Sequence, residues 1–220
     1  MALHYDALKL IEPHIKGRVL SLGYPDLCID NDEAQAVFGV KPRRWTDRNR
    51  VHKIEHPLPE TEHLFKARCE FVCVDIVKLA GCEEIRDLNY PQAMGEFDLV
   101  IDPGTTEHCF NIGQAILNAA GAVKAGGRVL HLSPVTMVNH GFYNPCPTLW
   151  HDFYDQNGWE IEHFTLRHKD TLPFDVRRHW ASRSTLPSEV GICFMAKRLA
   201  VKPLAYPVQT KYRHLLEKAA

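Results

Sequence analysis

No stretch of the 220 residues approaches the roughly 18 consecutive apolar positions that a membrane span requires. The first residues, MALHYDALKLIEPHIK, lack a basic head, a long apolar run and a small-residue cleavage site, so no signal peptide is expected. An excess of one charge is missing too. Lys and Arg number 26 against 27 Asp and Glu, a net charge of −1, which gives nucleic acid or a membrane surface no support as partner. Neither a G-x-G-x-x-G turn at residues 21–26 nor a G-x-S-x-G elbow is present. The first absence argues against nicotinamide-dependent redox chemistry and the second against a serine nucleophile. The 7 cysteines are odd in number, and none forms a C-x-x-C pair. A disulfide framework is therefore not expected, and a reducing, cytoplasmic setting fits better. Cys69 and Cys73 read as buried thiols rather than zinc ligands. Internal repeats and low-complexity segments are absent, and the length suits one well-buried core spanning 1–220.

What is present is clearest between Glu96 and Val135. Phe97 to Ile101 is a nearly unbroken apolar run, suited to a strand covered on both faces. Asp102-Pro103-Gly104 stops it, and Thr105 or Thr106 can cap a helix. Cys109, Ile112, Gly113, Ile116, Ala119, Ala120 and Val123 then recur at helical spacing, and Gly126-Gly127 is expected to close the helix as a left-handed cap. Arg128 to Leu132 is apolar again. Strand, crossover helix and strand make a right-handed parallel unit, and such sheets take their ligands at the carboxyl ends of the strands.

Around this unit the chain alternates. Leu3 to Ile15 shows a helical stripe ending at Gly17, and Arg18 to Leu22 reads as a central strand. Leu27 to Ile29 is a second apolar piece, after which Asp30-Asn31-Asp32-Glu33 can begin a helix carrying Ala34, Val37 and Phe38. Residues 39–68, basic and broken by Pro57 and Pro59, read as a solvated insertion or flap, and residues 167–189 as a second one. His52, His56 and His63 could meet a metal, but no carboxylate or cysteine completes the set. Glu70 to Val77 and Glu83 to Leu88 supply further strands, and Pro147 opens a helix that Asn157-Gly158 stops. Trp159 to Leu166 and Val190 to Lys197 close the sheet, leaving a tail solvated apart from Leu215 and Leu216.

This pattern resembles the class I S-adenosylmethionine-dependent methyltransferases over residues 17 to 198. Arg18 to Gly23 looks like the first strand and its glycine turn, Phe97 to Asp102 like the fourth-strand motif, and Val123 to Leu130 like the lysine-x-glycine-glycine turn before the fifth strand. The resemblance implies a three-layer, Rossmann-like, doubly wound and mostly parallel α/β sheet of about seven strands, the last antiparallel. It implies S-adenosylmethionine as cofactor, with Asp75 on the ribose hydroxyls, Asp87 and Leu88 on the adenine, and Gly23, Tyr24, Asp26 and Asp102 completing the cofactor site. The family's glycine loop is altered here to Ser21-Leu22-Gly23-Tyr24-Pro25-Asp26, which brings bulk toward the methionine portion; Asp26 could meet its ammonium. A subset of bacterial methyltransferase-like proteins shares a segment similar to Asn139–Asn144 followed by Pro147-Thr148-Leu149, and points to small molecules or surface glycans as acceptors.

Methyl transfer needs orientation and, for a hydroxyl, a base. His140 is the first candidate, with a loop-ordering role as the alternative. Glu107 and His108 could position substrate from the first turn of a helix, or merely cap it. His131, within a strand, reads as a satisfied core histidine. Asn139, Phe142, Tyr143 and Trp150 could wall the acceptor pocket or stack on a sugar. Glu107, His108, His131 and His140 could instead gather a metal, but nothing in their spacing demands it and none is expected. The leading expectation is a methyltransferase acting on a hydroxyl or amine of a small molecule or glycan intermediate, with a homodimer possible. The alternatives are a methyltransferase-like domain that only binds a sugar or protein, and a nicotinamide-dependent oxidoreductase.

Overall fold

A computed structural model describes residues 2–44, 58–78, 80–168, 171–172 and 186–217. Its central sheet has the order β5-β4-β2-β6-β7-β10-β8-β9. The first five of these strands, β5 (Glu84–Ile85), β4 (Glu70–Asp75), β2 (Arg18–Leu22), β6 (Phe97–Asp102) and β7 (Val123–Pro134), are parallel. The last long strand in the chain, β10 (Gly191–Lys197), inserts antiparallel between β7 and β8 (Glu160–Arg167). The α/β fold is thus the doubly wound, Rossmann-like sheet that the sequence pattern implies. Seven strands become eight because a two-residue β9 (Thr171–Leu172) extends the edge.

Alternation along the strands produces the layers. Leu20, Val100, Val129 and Phe194 belong to one buried cluster, which α4 (Ile112–Gly121) and α5 (Pro147–Gln156) cover. Their neighbours Val19, Leu99, Leu130 and Cys193 belong to a second, beneath α1 (Tyr5–Ile11), α2 (Asn31–Phe38) and α3 (Thr61–Lys66). Successive side chains of a strand point to opposite faces, so apolar runs need cover on both. The acidic run before α2 does what its composition suggests. Asp30 accepts the amides of Asp32 (2.9 Å) and Glu33 (2.8 Å), and Glu33 accepts the Asp30 amide (3.0 Å), a reciprocal cap. Behind it Ala34, Val37 and Phe38 are buried.

Several boundaries differ from the sequence expectation. The stripe from Leu3 to Ile15 divides into β1 (Ala2–His4), α1 and a 3-10 turn at Glu12–His14, because Pro13 cannot donate the next helical hydrogen bond. β1 pairs in parallel with β3 (Asp26–Cys28) in a separate two-stranded sheet. Gly126-Gly127 does not close α4, which ends at Gly121; both glycines lie in β7. A Cβ on Gly127 would meet Val123 Cγ1 at 2.9 Å and Asp98 O at 3.0 Å, so close packing requires Gly127, while Gly126 takes a left-handed φ of +79°. The tail holds a helix, α6 (Thr210–Glu217), tied to α5 where Asp152 accepts the Thr210 amide (2.8 Å) and hydroxyl (2.5 Å). Leu215 is exposed rather than packed. The first expected flap contains α3, while its residues 45–57, with His52 and His56, fall outside the described residues, as do 169–170 and 173–185 of the second. All seven cysteines are free. No helix among the described residues is long and apolar enough to cross a membrane.

Candidate active site at the carboxyl rim

The parallel strands end along one rim, and local hydrogen bonds fix the order of its residues. Gly23, with φ at +79°, donates its amide to Val74 O (2.6 Å), which sets the turn after β2 against the end of β4. Arg86 donates to Asp75 O (2.9 Å), which brings Asp87 alongside. Asp75 is half-buried; its Oδ1 accepts the Ile76 amide at 2.7 Å, and Oδ2 lies 3.4 Å from the Tyr24 amide. Asp87 Oδ1 accepts the Asn89 amide (2.9 Å) and side chain (2.8 Å).

Two cofactor-site expectations need correction on this side. Leu88 is 5% exposed and packs into the core, so it offers no face to a purine ring. Ile76, next to Asp75 and 63% exposed, is the apolar surface left at that position. Its place directly after the acid of β4 was the signal in the sequence. The bulk of Tyr24 does not stand in the rim either. Its ring is buried in the core, and its hydroxyl accepts the Glu62 amide at 3.2 Å. Tyr24 can therefore offer a ligand little but backbone. Asp26 opens β3 opposite Ala2 rather than belonging to the turn itself.

Asp102 is fully buried and spent on structure, so it cannot face a cofactor. Its Oδ1 accepts the amides of Thr105 (2.8 Å) and Thr106 (3.3 Å), and Oδ2 accepts the Thr106 hydroxyl (2.7 Å). With Asp102 ionised, His131 Nδ1 donates to Oδ2 (2.7 Å) and Nε2 accepts the Tyr154 hydroxyl (2.6 Å). Burial alone would raise the Asp102 pKa, but the bonds from His131, Thr105 and Thr106 hold it below the ordinary carboxylate value. Burial, then the charge of Asp102, pushes the Tyr154 hydroxyl upward. Trp150 belongs to this assembly and not to a pocket wall. It is fully buried, with its ring 4.3 Å from that of His131.

Above Asp102 the chain makes a 3-10 turn, Thr106–His108, in place of the first helical turn expected there. Asn111 then caps α4, accepting the Gln114 amide at 3.3 Å. Glu107 and His108 are thus held by the Asp102 bonds to Thr105 and Thr106 and not by a helix end. The loop after β7 folds onto this turn. The Glu107 carbonyl accepts the amides of Phe142 (3.0 Å) and Tyr143 (3.3 Å), and Tyr143 Oη donates to Phe110 O (2.8 Å). Asn139 takes a left-handed conformation, φ 62°, which asparagine tolerates better than most residues, and His140 follows it. The result is a cluster: Glu107, His108 and His140 each bring one ligand-type atom within 4.8 Å of the others.

Glu107 is fully buried, and neither carboxylate oxygen has a hydrogen-bond partner. His140 Nε2 stands 3.5 Å from Oε1, within ion-pair range but without hydrogen-bond geometry. Burial, reinforced by the Asp102 charge, pushes the Glu107 carboxyl up to about 8. Burial lowers His108, as does neighbouring His140, and burial also lowers His140. Both imidazoles are accordingly neutral at neutral pH. Glu107 and His140 line a cleft of about 410 Å³ together with Gly104, Ser133, Met137 and Gly191. Phe142 is 67% exposed and meets Phe110 edge-on, their centroids 5.9 Å apart.

No family model matches the chain, and no curated protein does. Among solved structures the chain is similar to TehB from Haemophilus influenzae, 9% identical with a TM-score of 0.48, the match covering 89% of this chain and 62% of TehB. YcgJ from Bacillus subtilis is 14% identical with a TM-score of 0.45, covering 89% of this chain and 99% of that one. An S-adenosylmethionine-dependent methyltransferase from Clostridium acetobutylicum is 9% identical with a TM-score of 0.38, covering 88% and 90%. Likenesses this distant decide nothing about the site, so the chemistry must be read from the residues themselves.

Proposed function

We propose that the protein is a methyltransferase that uses S-adenosylmethionine and acts on a hydroxyl or amine of a small molecule or glycan intermediate. One observation carries this reading. The rim divides into a nucleoside-like half, with Gly23, Asp75, exposed Ile76 and Asp87 along adjacent strand ends, and a cleft half carrying neutral His140 beside Glu107. The residues of the first half suit the cofactor. Asp75 would accept the ribose hydroxyls, Asp87 the exocyclic amine, and Ile76 would cover one face of the base. Buried Tyr24 leaves the turn at Gly23 clear of its ring.

When bound, the cofactor supplies a methyl carbon on a sulfonium, ready for in-line displacement. The chain supplies the rest. The cleft admits a small acceptor, and exposed Phe142 offers a ring face to a sugar. With its ring hydrogen on Nε2, the nitrogen facing Glu107, His140 would have Nδ1 free to take the proton of an acceptor hydroxyl as the oxygen–methyl bond forms and the sulfur–methyl bond breaks. Asn139 and Tyr143 hold the loop that carries this histidine. Seven free cysteines suit a cytoplasmic setting.

Titration calorimetry with S-adenosylmethionine and its demethylated product tests the proposal. Both should bind, and Asp75→Ala should weaken binding by roughly 1–3 kcal/mol. Failure of either ligand to bind would overturn it. Binding without turnover on any hydroxyl or amine acceptor would favour a domain that holds ligands and transfers nothing.

A further inference from the structure

We infer that Glu107, His108 and His140 form a binding site for a divalent first-row transition ion of the zinc type, opening onto the cleft. Two imidazoles and one carboxylate are a donor set that such ions take readily. The three donor atoms lie within 4.8 Å of one another. Around an ion at about 2.0–2.2 Å from each donor, they would stand roughly 3–3.5 Å apart. The two imidazoles are exposed, so their side chains are the part of the set with room to adjust to an ion.

The second observation is Glu107 itself. It is fully buried, both oxygens lack a hydrogen-bond partner, and it points at the two histidines. A polar group taken out of water without a partner is costly, and the protein offers this one nothing except the edge of His140 at 3.5 Å. A cation between the three groups would supply the missing interaction. His131, the fourth histidine near the rim, is excluded because Asp102 and Tyr154 occupy both its nitrogens.

The surroundings are those of a prepared site. Asp102 fixes the turn bearing Glu107 and His108 by accepting from Thr105 and Thr106, and the Glu107 carbonyl pins the loop bearing His140. Gly141 lets the two segments touch. A Cβ there would stand 2.9 Å from Glu107 O and 3.2 Å from His108 Nδ1. Three protein ligands leave coordination positions open, and with Glu107 and His140 lining the cleft those positions face its interior. This inference deepens the methyltransferase reading in one respect. The ion would take the acceptor oxygen and acidify its O–H, releasing the proton to water, and His140 would serve as ligand in place of base. Ion binding itself does not depend on methyl transfer.

The test uses the full chain, stripped with a chelator and then titrated calorimetrically with Zn²⁺, and separately with Co²⁺ followed by visible absorption. The expected result is one ion per chain, at about micromolar affinity or tighter. Glu107→Gln and His140→Ala should each weaken binding on the order of a hundredfold, while His63→Ala, within α3 and outside the cluster, leaves it unchanged. If Glu107→Gln fails to fold by circular dichroism, His108→Ala and His140→Ala, whose side chains are exposed, decide the matter. Absence of stoichiometric binding, or wild-type affinity in the histidine variants, would overturn the inference. Binding of S-adenosylmethionine to the stripped protein is a separate readout. Its failure beside normal Zn²⁺ binding would sink the methyltransferase reading and leave the metal site standing.

Discussion

Asp102 and Glu107, five residues on, are both fully buried, yet the chain treats these two acids in opposite ways. Asp102 takes hydrogen bonds from two amides, a hydroxyl and an imidazole, and its pKa falls. Glu107 takes none, and its pKa rises to about 8. Burial is common to both, so burial does not identify a functional acid. Hydrogen bonding separates the two: the lone pairs of Asp102 are filled by the scaffold, while those of Glu107 are open to the cation inferred above.

The contrast can be broken or sharpened by substitution. The largest effect is expected for Asp102→Ala, which strands His131 Nδ1 and the Thr106 hydroxyl. Chemical denaturation should show a loss of about 3–5 kcal/mol, the scale of breaking a buried pair. A loss under 1 kcal/mol would mean that Asp102 is not a structural acid. Next comes Glu107→Gln in metal-free protein. The folded pKa of Glu107 lies above its usual 4.5, so between pH 4.5 and 8 the unfolded chain releases a proton that the folded chain keeps. Wild type should therefore lose stability against the variant as pH rises through that window, by up to about 1.4 kcal/mol per pH unit. A difference that is flat with pH would mean that Glu107 is not held in its acid form. Gly141→Ala should cost about 1–3 kcal/mol through overpacking between the two loops, and should lower turnover more than a surface alanine does. The smallest effect belongs to Tyr154→Phe, which leaves His131 Nε2 bare and should cost on the order of 1 kcal/mol with little change in ion affinity.

Most of the fold was legible because it follows from periodicity. The apolar runs at Arg18–Leu22, Phe97–Asp102 and Gly191–Lys197 need two covered faces, and the intervening amphipathic segments provide them. Position at strand ends was legible too: Gly23 follows β2, Asp75 ends β4 and Asp87 lies just past β5, though Asp102, expected beside these acids, is buried beneath the rim. What a side chain does at its position was less so. Asp102 and Asp75 both end strands, and only their neighbours separate them, since Asp102 meets His131 from the next strand while Asp75 meets its own following amides. Trp150 and Phe142 are both aromatic residues close behind the fifth parallel strand, but one begins a packed helix and the other tops a loop. The emptiness around Glu107 has no sequence signature at all, because it is set by which groups fail to arrive.

The carbonyl of Glu107 deserves as much notice as its carboxyl, since it receives Phe142 and Tyr143 from the opposite loop. The two loops are consequently joined, clasped at the very residue whose carboxyl oxygens lack a partner. Lengthening either would shift His140 and Glu107 in register with each other, changing where the pair sits over the sheet before changing the spacing within it.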